Sequence, residues 1–103
     1  MATKGYVDAG EFLESLDGKL TFGKMLWSIR KCDEISQSQF AKKLGISKSH
    51  LCDIEQDRKN VSPERAARWA KLLGYSEHLF VQLSLQGMVD KGRLGFKVLV
   101  EAA

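Results

Sequence analysis

The stretch Ser36-Gln37-Ser38-Gln39-Phe40-Ala41-Lys42-Lys43-Leu44-Gly45-Ile46-Ser47-Lys48-Ser49-His50-Leu51-Cys52-Asp53-Ile54-Glu55 reads as two short helices meeting at a tight turn. Phe40, Ala41 and Leu44 give the first helix an apolar face with a small residue where the two rods cross. Gly45 tolerates the positive φ that a sharp exit from a helix requires. Ile46 plugs the junction, and Leu51 and Ile54 anchor the second helix at three-residue spacing. Lys48, Ser49, Cys52 and Asp53 are then left together on the opposite face. A short helix held on one side by such small contacts projects its other side outward, and a rod of that size fits the major groove of DNA. The same residues would also suit an ordinary solvated helix face.

Outward from this stretch, helix starts recur. Thr21, Ser36, Ser47, Ser62 and Ser76 each precede apolar residues at helical spacing, and each hydroxyl can accept a hydrogen bond from a free N–H of the first turn, typically about 1 kcal/mol per cap. Ser36 with Gln39 matches a capping box, and Ile35 with Phe40, Ile46 with Leu51 and Tyr75 with Phe80 match the apolar staple across a helix start. Gly45 and Gly74 mark stops, and Pro63 falls at the first helical position after Ser62, where its missing N–H is harmless. The pattern predicts five helices, at about residues 21–32, 36–44, 47–55, 62–73 and 76–89.

Two flanking segments fit less regularly. Residues 7–16 place Phe12, Leu13 and Leu16 among acidic residues and read as a short amphipathic helix in a leader spanning 1–20. Residues 94–101 alternate Leu94, Phe96, Val98 and Val100 on one face, the two-residue period of a strand. A lone strand must pair, and no second candidate is evident. The preferred expectation is therefore an intersubunit ribbon in which these four residues mediate dimerisation; a frayed tail or an extended segment lying on the helices is the alternative. The organisation expected is a leader over 1–20, a helical domain over 21–90 and a closing strand over 91–103.

Composition bounds the function. A chain of 103 residues with 16 Lys and Arg against 13 Asp and Glu is one domain's worth of protein with one expected hydrophobic core. Residues 1–20 carry two basic and four acidic side chains, whereas residues 21–61 carry eight and five, so the positive excess lies outside the leader and permits a polyanionic partner. No run of about 18 apolar residues suggests a membrane span, and the first ten residues lack a signal-peptide pattern. A cytoplasmic protein without membrane contact is expected. Cys32 and Cys52 have neither metal-ligand nor redox spacing and read as reduced side chains in or near the core. With no Cys/His cluster, nucleophile motif or phosphate loop, neither an enzyme, a metal site nor a cofactor is expected.

Phe22-Gly23, Leu26, Ile29-Arg30, Ser36-Gln37, Phe40-Ala41, Leu44-Gly45, Ile54-Glu55, Trp69-Ala70 and Leu73-Gly74 are weak signals singly and strong in their order and spacing. On them, residues 22–80 resemble the helix-turn-helix family of the lambda and 434 phage repressors, often called the XRE family. The resemblance implies an all-α, five-helix lambda-repressor-like fold, here with the added strand. It implies that Gln37 contacts a phosphate at a helix start and that Lys48 and Ser49 read base edges. Asp53 also falls on a reading position, where relatives carry an amide or a basic residue; a carboxylate can accept from cytosine N4 but repels phosphate. His50 is a phosphate neighbour or bystander, and Arg58, Lys59 and Asn60 lie in the loop that touches the DNA backbone in relatives, although a basic loop is common on any surface. Arg30 and Glu55 are expected to form a structural ion pair, and Trp69 to be core.

The partner so implied is double-stranded DNA with a palindromic operator, bound by a homodimer whose half-site centres lie about 34–36 Å apart, with repression of the chain's own operon as the output. The alternative is an antitoxin of a type II toxin-antitoxin pair, which would neutralise a small toxin as well as bind operator DNA. The acidic leader and the closing strand are the spare parts that favour it.

Overall fold

The computed structural model describes residues 19–103, so the leader helix expected at 7–16 lies outside the described residues. Five α-helices follow in order: α1 Phe22–Cys32, α2 Gln37–Leu44, α3 Lys48–Glu55, α4 Pro63–Leu73 and α5 Glu77–Lys91. Each starts as its sequence dictates. The side chains of Thr21, Ser36, Ser47, Ser62 and Ser76 accept from the backbone N–H groups of Lys24, Gln39, His50, Arg65 and Leu79, respectively, and the capping box of Ser36 with Gln39 is closed on both sides.

The helix ends share one geometry that only two of them advertise. After α2 the Gly45 N–H reaches the Lys42 carbonyl and the Ile46 N–H that of Ala41, with Gly45 at φ 79. This is the double bond of a left-handed helix terminus, and Gly74 repeats it after α4 at φ 81. The same pair of bonds closes α1, α3 and α5 with Glu34, Asp57 and Arg93 in the left-handed position, at φ 57, 61 and 55. A side chain there is strained by roughly 1–2 kcal/mol, which the two recovered carbonyl bonds offset.

The chain divides into two compact units at Arg58 and Lys59. In the first, α3 packs against both α1 and α2, and Leu26, Phe40, Leu51 and Ile54 are buried there essentially completely. In the second, α4 packs on α5 with Val61, Ala66, Trp69, Ala70, Phe80 and Leu83 buried. Trp69 is core as expected, its ring also facing the Arg65 guanidinium at 5.6 Å, and the Tyr75 ring stacks on Phe80 at 6.0 Å, completing the staple at the start of α5.

The strand expected over residues 94–101 is not formed. Helix α5 runs on to Lys91, and the residues after it enter no ladder. The reason lies in the partner the segment finds. Gln86 Nε2 donates to the Phe96 carbonyl at 2.9 Å and Gln86 Oε1 accepts from the Val98 N–H at 2.7 Å. Gln82 Oε1 accepts from the Val100 N–H at 3.2 Å, and His78 Nε2 pairs with the Val100 carbonyl. A row of side chains four residues apart on α5 thus satisfies the alternate backbone groups that a neighbouring strand would otherwise take.

Candidate nucleic-acid interface

The interface rests on how α3 is held. Leu51 and Ile54 are fully buried, and the helix leaves Lys48 and Ser49 exposed, with His50, Cys52 and Asp53 half-buried. The face the sequence reading turned outward is therefore the face on the surface. The orientation is locked by α1. An ideal Cβ on Gly23 would lie well inside contact with the Ile54 carbonyl oxygen, 2.5 Å from Asp57 Oδ1 and 3.0 Å from the Glu55 carbonyl oxygen. Helix α1 thus touches the end of α3 backbone to backbone. Thr21 adds a second tie, its hydroxyl donating to Asp57 Oδ2 at 2.9 Å.

Beneath the same junction lies the Arg30–Glu55 ion pair. Arg30 Nε donates to Glu55 Oε2 at 2.8 Å and Nη2 to Oε1 at 3.1 Å, the two-pronged geometry in which guanidinium and carboxylate interact most strongly. The Glu55 side chain is wholly buried and that of Arg30 is 11% exposed. The remaining arm of Arg30 reaches the Ile35 carbonyl in the loop between α1 and α2. Gln37 joins this group: its amide donates to Glu55 Oε1 at 2.9 Å, which fixes the first residue of α2 against the last residue of α3. Glu55 thereby connects all three helices of the unit.

Asp53 has a partner that sequence reading missed. Arg58 folds back onto α3, with Nε 3.0 Å and Nη2 2.9 Å from Asp53 Oδ1 and Nη2 3.7 Å from Cys52 Sγ. Arg58 also donates its backbone N–H to the Asp53 carbonyl. In this type of helix terminus the two positions so joined usually make an apolar side-chain contact; here the contact is ionic. The hydrogen bond to Asp53 raises the pKa of Arg58 further above its already high ordinary value. Opposite charges five residues apart across a helix end are the signal that could have found the pair. Its consequence is that the Asp53 carboxylate is locally neutralised and Arg58 is held beside the exposed face of α3.

Lys59 and Asn60 are exposed and begin the second unit. Asn60 Oδ1 lies against α5, 3.3 Å from where a Cβ on Gly87 would sit. The structure therefore brings Gln37, Lys48, Ser49, His50, Asp53 and Arg58 together on the first unit, with Arg30 and Glu55 beneath. Among the described residues no helix is long and apolar enough to cross a membrane.

Comparison with known proteins agrees with this geometry. The helix-turn-helix family model matches residues 29–80, half of the chain. The immunity repressor protein of Bacillus phage phi105 is 40% identical over 55 residues, which cover 53% of this chain and 38% of the relative, so the match spans well under half of that protein's length. No solved structure matches. The chain belongs to the helix-turn-helix family, of the XRE type.

Proposed function

We propose that the chain is a sequence-specific repressor that binds a palindromic operator as a homodimer and regulates its own operon. The observation that carries this reading is the exposure of Lys48 and Ser49 on a helix whose other side is fully buried. A helix so seated can enter the major groove with its first turn toward the base edges. The phi105 relative is named as an immunity repressor, which supports repression as the output. One such helix contacts few base pairs, and two acting together supply useful selectivity.

Within this reading each residue has a role. Lys48 and Ser49 read base edges. Asp53 accepts from cytosine N4, its charge balanced by Arg58 so that it does not repel the backbone. Gln37, whose second amide hydrogen is not needed by Glu55, contacts a phosphate together with the free N–H groups at the start of α2. His50, Arg58, Lys59 and Asn60 face the DNA backbone. A DNA target places the protein in the cytoplasm. Nothing among the described residues or in the relative favours a toxin-binding role.

The test is binding to duplex DNA from upstream of the chain's own reading frame, against a scrambled duplex, at two salt concentrations. Lys48→Ala or Ser49→Ala should lower the operator-to-scrambled ratio by about 1–3 kcal/mol. Lys59→Ala should weaken both duplexes alike and reduce the slope of log K against log salt by about 0.9. Equal affinity of the parent chain for both duplexes would refute sequence-specific binding.

A further inference from the structure

The segment after α5 has two edges, and among the described residues only one of them is used. In an extended chain the N–H and C=O of a residue point to the same edge and successive residues alternate. The Phe96 carbonyl, the Val98 N–H and both main-chain groups of Val100 are taken by Gln86, Gln82 and His78 on α5. The spacing explains the fit: four residues of helix rise about 6 Å, close to the roughly 6.6 Å spanned by two residues of extended chain. The groups of Lys97, Leu99 and Glu101 therefore face away, and no described residue bonds them. Val98 and Val100 are half-buried, whereas Lys97 and Glu101 are exposed and Leu99 is 76% exposed. The segment after α5 thus presents an open main-chain edge, the feature that recruits another chain by main-chain pairing.

We propose that this edge pairs with the same edge of a second copy of the chain, antiparallel and centred on Leu99. Charge selects both occupant and register. Centring on Lys97 or on Glu101 sets like charges face to face. Centring on Leu99 places Lys97 opposite the partner's Glu101, and Glu101 opposite the partner's Lys97. It also covers Leu99 with the partner's Leu99, and the residues that meet are those whose main-chain groups point outward, so each facing pair can exchange both bonds. In this register Lys97, Leu99 and Glu101 form the hydrogen-bonded pairs on one face, while on the other face Val98, half-buried, comes opposite the partner's Val100.

The pairing rests on the homodimer reading above, and a charge swap separates the two. Dimer dissociation of the full chain is measured by sedimentation equilibrium at low salt, where surface charge is least screened. Opposed charges across a strand pair are worth about two- to fivefold each, and the dimer contains the pair twice. Lys97→Glu alone and Glu101→Lys alone should each raise the dissociation constant on the order of tenfold, and the double variant should return it to within about twofold of the parent. Both positions are exposed, so folding is not at stake. A dimer indifferent to the single changes, or a double variant as weak as the singles, overturns the Leu99-centred pairing and leaves the dimer standing. A chain that stays monomeric at every concentration overturns both.

Discussion

Replacing Glu55 by alanine should cost about 3–5 kcal/mol of stability, because it strands the Arg30 guanidinium in a site where the pair is almost wholly out of water. Against a typical total of about 5–15 kcal/mol, such a loss removes from about a fifth to all of the stability of a chain of this size. Denaturant melts should show a midpoint far below that of the parent. Arg30→Ala should be comparably severe, since it leaves a fully buried carboxylate with only the Gln37 amide. Replacing both by methionine should recover most of the loss, because apolar residues of similar volume remove the uncompensated charge. A Glu55→Ala variant within 1 kcal/mol of the parent would show that water reaches the pair and that Glu55 contributes little to holding the three helices together. Loss of DNA binding should track unfolding here, since neither residue faces the exposed side of α3.

Gly23→Ala should act in the opposite proportion, harming binding more than folding. In an open helix this change would stabilise by about 0.8–1 kcal/mol. Here the added methyl meets two main-chain carbonyls and the Asp57 carboxylate, and the carbonyls belong to the last turn of α3 and cannot rotate aside. Overpacking of this kind costs roughly 1–3 kcal/mol, so the net change should be destabilising. The cheapest relief is to move α3 away from α1, which displaces Lys48, Ser49 and Asp53 together. Operator affinity measured well below the unfolding midpoint should therefore drop by more than the unfolded fraction accounts for. A more stable variant with unchanged affinity would mean that the two backbones do not approach as closely as described.

Gly23 shows where sequence reading stops. Its place within a family pattern was visible, but its purpose was not, because the carbonyls it accommodates lie more than thirty positions along the chain. The Arg30–Glu55 pair was foreseen through resemblance, whereas the inclusion of Gln37 and of the Ile35 carbonyl depends on how three helices converge. Asp53 read alone was a difficulty for DNA binding; Arg58 resolves it through a bond formed only because the chain turns left-handed at Asp57.

Helix starts, the two glycine stops, the staple of Tyr75 with Phe80 and the outward face of α3 were all legible in the chain, because each arises between residues one to five positions apart and is decided by local hydrogen bonding or periodicity. Three helix ends were not, since Glu34, Asp57 and Arg93 take the left-handed position, which is disfavoured for side chains, and no glycine marks it, although the bonds that close these ends are as local as those at Gly45 and Gly74. The segment after α5 is the clearest case. Its alternation announced an extended chain needing a partner, which local sequence can do, but α5 itself met one edge through His78, Gln82 and Gln86. A four-residue period on a helix and a two-residue period on an extended chain become complementary only when folding lays one along the other.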